Sequence, residues 1–208
     1  MVFGGRVVVV DFGMGNLSSV QKQLRKVSDS VEVTSDPRLI ASADKLVLPG
    51  VGHFSLAVRN IAAMGLLEPL REAVEIKKTP ILGICLGLQL MARASEEGGA
   101  SGFGWIDAEV VRFQVDDDRR FKVPHMGWNQ VRRASVSRLM EGIADTDEFY
   151  FTHSYHLKVA AAGITVGETT FADTFPSAIE AENVFGVQFH PEKSRQAGIR
   201  VLRNFLSS

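Results

Sequence analysis

The chain contains one cysteine, Cys85, in a segment that could make its thiol reactive. In PILGICLG (residues 80–87) an apolar run ends in a Gly-x-Cys-x-Gly turn, and a helical pattern begins at once. This predicts a sharp strand-to-helix turn that holds a nucleophile above the end of a sheet. Gly83 and Gly87 suit it because a Cβ would crowd the backbone, and the helix beginning near Leu86 would favour thiolate. A lone cysteine is more often a small buried hydrophobe, but the flanking glycines favour the reactive interpretation.

A histidine that could act as the base lies near the other end of the chain. VFGVQFHPEKS (residues 184–194) predicts a strand that ends at His190, where Pro191 stops the ladder because it lacks an N–H. Glu192 could accept a hydrogen bond from Nδ1 of the ring, leaving Nε2 for the sulfur. Alone, such a pair is more often a hydrogen-bonded surface pair. A nucleophile and its base need only meet in space, however.

Together the two segments resemble the triad-type (class I) glutamine amidotransferases. The resemblance implies that Cys85 is the nucleophile, His190 the general base and acid, and Glu192 the orienting carboxylate. It also implies that L-glutamine is the substrate and that no cofactor is needed.

Composition argues against several other classes of protein. The 208 residues carry a formal net charge of −1, without the basic stripe of a nucleic-acid binder. No apolar stretch approaches ~20 residues, so no membrane span is expected, and the apolar run near the start is too short for a signal peptide. One cysteine forms no internal disulfide, which favours a reducing cytoplasm.

Apolar strands alternate with helical patterns in the first half of the chain. We predict strands over Arg6–Asp11, Val31–Thr34, Lys45–Leu48, Pro80–Ile84 and Phe185–Phe189. We predict a first helix with a buried stripe at Leu17, Val20 and Leu24, and a helical stretch over Leu56–Ala73 that breaks at Met64-Gly65. A last helix has its stripe at Ile199, Leu202 and Leu206. This pattern predicts an α/β fold with a mainly parallel sheet flanked by helices on both faces.

The stretch from Trp105 to Phe171 changes to short β-type runs, which predicts an inserted antiparallel β-rich portion. The charged run at residues 116–120 would form the tip of a hairpin there. We expect a single domain over residues 1–208, with functional groups at the carboxyl ends of the parallel strands. Cys85 and His190 both follow predicted strands at that edge.

A Pro-Gly-x-Gly segment ends another strand at the same edge. In LVLPGVG (residues 46–52) it could be an ordinary turn. It could also supply the N–H donors that a developing oxyanion needs, which the family resemblance supports. We assign Gly52 and the N–H of Leu86 as the two donors, with Val51 as the residue whose peptide would reorient.

Two polar residues near the elbow are candidates for substrate binding. Gln89 lies one helical turn after Cys85 and faces the same way, and in the family a glutamine there touches the substrate. Glu97 matches the acidic position that holds the substrate's ammonium group. The alternatives are a capping or surface glutamine and a solvated acidic pair. A Gly-x-Gly within residues 11–16 lacks the third glycine and acidic partner of a dinucleotide site, so that interpretation is disfavoured.

Two further segments, PHMGWN (residues 124–129) and FYFTHSYH (residues 149–156), are dense in histidine and aromatic residues. A metal site is disfavoured because no cysteine accompanies the histidines and no His-x₃₋₅-His pair lies on a convincing helix. Both segments resemble those of the glutaminase subunits of imidazole glycerol phosphate synthases. The resemblance implies that Ser154 and Tyr155 lie beside bound glutamine. It also implies a (β/α)₈-barrel cyclase as partner in a heterodimer, with Trp128 towards it. We take Val51 and Tyr150 as further candidates for the surface that faces the cyclase.

The function expected is hydrolysis of L-glutamine, with the ammonia passed to the cyclase for histidine biosynthesis. Three alternatives stay open at this point: an amidotransferase paralogue serving another synthase, a stand-alone γ-glutamyl cysteine hydrolase, and a catalytically dead binding subunit. The intact triad argues against the last, and PHMGWN argues against the hydrolase.

Overall fold

The computed structural model describes residues 2–115, 119 and 121–208. The predicted hairpin tip at residues 116–120 therefore lies outside the described residues except for Arg119. The strands are β1 (Val7–Val10), β2 (Val31–Thr34), β3 (Lys45–Gly50), β4 (Ile81–Cys85), β5 (Ala94–Ser95), β6 (Ala100–Ser101), β7 (Ala108–Arg112), β8 (His125–Gln130), β9 (Arg132–Arg133), β10 (Glu148–His153), β11 (Tyr155–Val159), β12 (Thr165–Phe171), β13 (Asp173–Ala181) and β14 (Val184–Val187).

The α-helices are α1 (Leu17–Leu24), α2 (Pro37–Ala41), α3 (Phe54–Ala63), α4 (Leu67–Arg71), α5 (Leu86–Leu90) and α6 (Arg195–Ser207). Helix α4 continues into a π-helical turn, Glu72–Ile76. The predicted break at Met64-Gly65 is confirmed by the separation of α3 from α4. Within the described part of the chain, no helix has both the length and the apolar character needed to cross a bilayer.

The central sheet has the strand order β2-β1-β3-β4-β14-β13-β12-β9. Its first five strands run parallel, and β13, β12 and β9 add to it in antiparallel fashion. Strands β8 and β10 pair as a separate ribbon, and β11, β7, β5 and β6 form a small second sheet. The predicted mainly parallel sheet with added antiparallel strands is confirmed.

Four consecutive valines show why the sheet is covered on both faces. Strand β1 is VVVV and is fully buried. Val7 and Val9 belong to one core cluster with residues of α1 and α6, whereas Val8 and Val10 belong to a second with residues of α2 and α3. Successive side chains of a strand point to opposite faces, so a strand buried on both sides must be apolar throughout.

Parallel pairing brings the carboxyl ends of β3, β4 and β14 to one edge. Gly50 pairs with Cys85, and Val187 pairs with Ile84. Strand β14 ends at Val187 and so is shorter than predicted. His190 leaves the central sheet, and its N–H donates to the carbonyl oxygen of Tyr150 in β10 at 2.8 Å. Beyond it, residues 191–193 form one 3₁₀ turn.

Helix α6 packs against this 3₁₀ turn through a glycine. The predicted apolar stripe is buried at Leu202 and Leu206, and Ile199 is half-buried and packs against the same core. The buried face runs through Gly198, Val201, Leu202, Phe205 and Leu206. A Cβ at Gly198 would overlap the carbonyl group of Pro191, so the absence of a side chain lets the helix approach the turn.

We expect Gly198→Ala to destabilise the protein although alanine is the better helix former. The helical gain of ~1 kcal/mol is smaller than the cost of forcing a Cβ into a backbone carbonyl, which is about 2–3 kcal/mol because backbone in a packed turn moves aside less readily than a side chain. Urea unfolding should show a net loss of about 1–2 kcal/mol. Gly4→Ala is the matched control, since its Cβ would meet open space and should change stability by less than about 0.5 kcal/mol. Equal stability of both variants would contradict this account of the packing.

Candidate active site

Cys85 lies at a strained turn between β4 and α5. Its φ is +54°, in the left-handed region that a residue with a side chain rarely adopts. A Cβ at Gly87 would overlap the carbonyl oxygen of Leu48, and one at Gly83 would lie 2.7 Å from backbone atoms of Leu88. Both glycines are therefore required for α5 to turn back closely over β3 and β4. The turn leaves the side chain of Cys85 at the wall of a cavity.

His190 and Glu192 form a buried pair behind the sulfur. Nδ1 of the ring lies 2.9 Å from Oε1 of Glu192, and both side chains are almost fully buried. A carboxylate only accepts, so Nδ1 carries the proton and Nε2 is left for other chemistry. Nε2 and the second carboxylate oxygen are buried without a hydrogen-bond partner among the described residues.

The sulfur and the ring are coupled electrostatically. Burial of His190 disfavours its charged form. The negative charge of the nearby Cys85 sulfur and the hydrogen bond to Glu192 outweigh this effect and raise the pKa of His190 to about 10. When Cys85 is a thiolate, the ring is therefore an imidazolium at neutral pH. Such a pair can deliver a proton to a leaving group after the sulfur has attacked.

A cavity of about 270 Å³ opens beside the sulfur. Its lining residues are Val51, Gly52, Cys85, Leu86, Gln89, Glu97, Pro124, Thr152, His153, Ser154 and Tyr155. The structure thus brings the sulfur together with both predicted oxyanion donors and with all four predicted substrate-binding residues. It does not bring Trp128 or Tyr150 to the cavity wall.

The predicted oxyanion segment contains a glycine at a position that requires one. Gly52 has φ +114°, which favours glycine, and a Cβ there would lie 2.7 Å from Cε of Met14. The side chain of the preceding Val51 is exposed. The direction in which the Gly52 N–H points during catalysis stays a prediction.

The two polar candidates near the elbow are held by hydrogen bonds. Gln89 is buried, which excludes the surface alternative, and its Nε2 donates to the carbonyl oxygen of Tyr155 at 2.9 Å and to Oε1 of Gln188 at 3.1 Å. Only its side-chain oxygen is left to accept from a ligand. Glu97 is half-buried, and its Oε2 accepts from the N–H of Phe54 at 2.7 Å, capping α3. That carboxylate is held at the cavity wall and still carries a charge suited to an ammonium group.

One side chain in contact with the sulfur is absent from the sequence-based assignment. Gln188 is fully buried, and its Nε2 lies 3.6 Å from Sγ of Cys85. A signal for it exists in the sequence, since it is the one polar residue in the buried apolar run from Val184 to Phe189. A buried amide must be hydrogen-bonded, which indicates a specific partner.

His125 and His153, one from each aromatic segment, form a hydrogen-bond chain that runs in one direction. Asn129 Nδ2 lies 3.2 Å from Nε2 of His125, His125 Nδ1 lies 3.0 Å from Nε2 of His153, and His153 Nδ1 lies 2.7 Å from the carbonyl oxygen of Tyr155. Each ring therefore donates through Nδ1 and accepts through Nε2, as a neutral imidazole does. Burial lowers the pKa of His125 to about 4. Burial is also the main reason why the pKa of His153 is lowered to about 3. Across the described residues, no group of three or more His, Cys, Asp or Glu could hold a metal ion.

The β8–β10 ribbon also carries a cationic and aromatic surface. Trp128 and Tyr150 pair across the ribbon, with ring centroids 5.9 Å apart. The guanidinium of Arg195 lies 4.6 Å from the ring centroid of Trp128, and Nζ of Lys193 lies 5.1 Å from that of Tyr150. Met126 and Trp128 are exposed, at 63% and 41%. Tryptophan, tyrosine, methionine and arginine side chains are enriched at protein interfaces.

Comparison with known proteins places this geometry in a family. Residues 8–208 match the family model for glutamine amidotransferase class-I. The chain is 46% identical over 200 residues to the imidazole glycerol phosphate synthase subunit HisH of Moorella thermoacetica, covering 96% of this chain and 93% of that one. It is 40% identical over 200 residues to subunit HisH 2 of Methanococcus maripaludis, covering 96% and 98%.

Solved structures agree on the fold. A chain of PurLQS from Thermotoga maritima aligns over 98% of this chain and 98% of its own length, with TM-score 0.73 and 15% identity. A further glutamine amidotransferase aligns over 96% and 97%, also with TM-score 0.73, at 17% identity. At these identities the likeness shows a shared fold.

The two lowered histidine pKa values predict how stability depends on pH. Below pH 6.5 the unfolded chain binds protons on His125 and His153, whereas the folded chain does not until about pH 4 and about pH 3. The free energy of unfolding should therefore fall as pH drops, by about 2 kcal/mol for each ring between pH 7 and pH 5. Ring-proton NMR of the folded chain, assigned with His125→Gln and His153→Gln, should show neither signal titrating between pH 8 and pH 5. A midpoint near pH 6.5 for either ring would contradict its neutral, donor–acceptor role.

Proposed function

This chain belongs to the class-I glutamine amidotransferase family, and on that premise we propose that it is the glutaminase subunit of an imidazole glycerol phosphate synthase. In this role it hydrolyses L-glutamine to glutamate and ammonia for histidine biosynthesis. The observation that carries the proposal is the elbow thiol beside a buried His190–Glu192 pair, at the wall of a cavity that suits a small polar ligand. We propose residues 1–208 as one amidotransferase domain. Its lone thiol fits a reducing compartment, the cytoplasm.

The first half of the reaction is acyl transfer to sulfur. The Cys85 thiolate attacks the carboxamide carbon of glutamine, and the carbonyl oxygen becomes negative. The N–H groups of Gly52 and Leu86 are the proposed donors to that oxygen, each worth ~10²–10³ in rate if it follows other oxyanion holes. His190, protonated at the start, gives its proton to the departing ammonia, which leaves a glutamyl thioester.

The second half returns the enzyme to its starting state. His190, now neutral, removes a proton from a water molecule, which attacks the thioester carbon and releases glutamate. Glu192 holds the ring so that Nε2 serves both steps. The hydrogen bond of 2.9 Å to Nδ1 supports this role because it fixes the tautomer through the whole cycle.

The cavity wall offers complementary groups for the rest of the substrate. The Glu97 carboxylate would pair with the ammonium group, held in place by its bond to the start of α3. Ser154, Tyr155 and the free side-chain oxygen of Gln89 are proposed to contact the bound glutamine. A cavity of this size suits a ligand as small as an amino acid.

We propose a (β/α)₈-barrel cyclase as the partner in a heterodimer. It would join the ammonia to a phosphoribosyl-formimino-carboxamide nucleotide, giving imidazole glycerol phosphate and an aminoimidazole carboxamide ribonucleotide. Ammonia released into water is largely protonated and loses its nucleophilicity, so a glutaminase of this kind must discharge into the enzyme that uses it. Val51, Trp128 and Tyr150 are the proposed contacts, and the exposure of Val51 and Trp128 supports them.

Two alternatives use the same triad. A paralogue would feed a different synthase, and a γ-glutamyl cysteine hydrolase would need no partner. The purified chain, assayed with glutamine alone and then with the cyclase, separates them. Strong activity alone favours the hydrolase, whereas activity that depends on the cyclase and its nucleotide favours the proposal. Indifference to both partner and nucleotide would refute the assignment to this synthase.

Replacing the nucleophile should abolish glutamine hydrolysis. We expect Cys85→Ala to lower glutamate release by the complex at least roughly 10⁴-fold, and Glu192→Gln to cost less because it removes only an orienting group. The control is synthesis from added ammonia, which bypasses the glutaminase and should continue in the Cys85→Ala complex. Substantial residual glutamate release would remove Cys85 from the proposed role.

Replacing the exposed tryptophan should weaken association. Trp128→Ala removes an aromatic anchor and should raise the dissociation constant for the cyclase about tenfold or more by titration calorimetry. Val136→Ala is the matched control. Val136 is fully exposed, and its loop packs near residues 180–185, at the opposite end of β14 from the site. The proposed surface is wrong if the two variants bind the cyclase equally well.

A further inference from the structure

Gln188 is a buried side chain that the proposed mechanism leaves without a role. It is fully buried, and its Nε2 lies within hydrogen-bond distance of the Cys85 sulfur, at 3.6 Å. It is not among the residues that line the cavity. The amide therefore reaches the sulfur from the protein interior and leaves the cavity side of the sulfur open to a substrate.

The neighbouring groups fix which end of the amide faces the sulfur. The carbonyl oxygen of Tyr155 can only accept, so the Gln89 atom 2.9 Å from it is Nε2. The same nitrogen lies 3.1 Å from the Gln188 amide, so the Gln188 atom at that position is the acceptor, Oε1. The Nε2 of Gln188 is thereby turned towards the sulfur. The carbonyl oxygen of Tyr155 thus sets the orientation of the Gln89 amide and, through it, that of the Gln188 amide; we call these three groups the relay.

The two protonation states of the sulfur have different partners. As a thiol, Cys85 can donate to the carbonyl oxygen of Thr152, 3.9 Å away. A thiol sulfur is a weak acceptor, so the Gln188 N–H gains little from it. Once the sulfur is anionic, the same N–H makes a charge-assisted hydrogen bond. The interaction thus favours the form that attacks.

We propose that Gln188 is a further catalytic residue, which donates a hydrogen bond to the Cys85 thiolate, and that Gln89 keeps the Gln188 amide in the donating direction. The proposal rests on the proposed function only in taking Cys85 as the nucleophile. It gives Gln89 a structural task in addition to its predicted contact with glutamine.

Alkylation of Cys85 by iodoacetamide tests this without any turnover, since the chain has no other cysteine. Gln188→Met keeps the size of the side chain and removes the donor. Loss of a hydrogen bond to a charged sulfur should lower the thiolate fraction roughly tenfold at any pH at which the thiol predominates. The more basic sulfur is about threefold more nucleophilic, so the net alkylation rate there should fall about threefold. At alkaline pH, once the sulfur is ionised in both chains, the variant should instead react up to about threefold faster than the unmodified chain.

The proposal thus predicts that the pH profiles of alkylation cross between the variant and the unmodified chain. General damage to the site would instead shift the alkylation rate in one direction at every pH. Thr169→Val is the matched control. Thr169 is a buried polar residue that bonds to Ser177 and the Gln130 carbonyl rather than to the sulfur, and its replacement should leave the profile unchanged. A folded Gln188→Met variant with the unmodified profile, or with a uniform shift, overturns the proposal.

If Gln188→Met does not fold, Gln89→Met tests the relay one step earlier. It removes the donor that fixes the Gln188 amide and should give the same crossing with a smaller change, about twofold on the side where the thiol predominates. An unmodified profile there overturns the proposal too. Failure of the proposed function would be seen separately, as an absence of glutamate release by the unmodified complex.

Discussion

The close approach of helix α5 to strand β3 is the constraint on which the site depends. At Gly87 the backbone of the helix lies so near the Leu48 carbonyl that no side chain fits between them. That approach forces Cys85 into a left-handed conformation and turns its side chain to the cavity. The strain of one residue is held by the packed sheet beneath it, where β3, β4 and β14 are buried on both faces.

The polar groups around the sulfur are ordered by what each can donate or accept. Carbonyl and carboxylate oxygens only accept, and they set the direction of every amide and imidazole bonded to them. The carbonyl oxygen of Tyr155 accepts hydrogen bonds from His153 and from Gln89. The bond from Gln89 fixes the Gln89 amide, which in turn orients Gln188. These hydrogen bonds are buried, so an amide or a charged ring that lost its partner could not be hydrated instead. Breaking them would therefore cost free energy.

The β8–β10 ribbon joins the proposed docking surface to His190 by hydrogen bonds that involve the backbone. His190 donates its N–H to the carbonyl oxygen of Tyr150, and the hydroxyl of Ser194 bridges the Tyr150 N–H and the His190 carbonyl oxygen. Tyr150 also pairs with Trp128 across the ribbon.

Much of the fold follows from local sequence. Three features could be identified without coordinates because each residue type restricts what the chain can do there. The valines of β1 require burial, Gly65 permits a positive φ at the break between α3 and α4, and Gly83 and Gly87 permit close backbone packing. The alternation of apolar strands and helices was sufficient to place Cys85 and His190 at one edge of a parallel sheet. The end of β14 was misjudged, and the buried face of α6 was only partly identified, because both depend on the 3₁₀ turn that follows His190.

Residue types at short spacing were enough to predict the tight turn at Cys85, the histidine–carboxylate pair and the parallel character of the sheet. The polar environment of the sulfur, in contrast, exists only in the folded chain. Gln188 is locally one polar residue in an apolar strand, and its direction depends on Gln89 and on the carbonyl of Tyr155, which come from distant parts of the chain. A hydrogen bond needs a donor and an acceptor in contact, and here folding is what brings the two together.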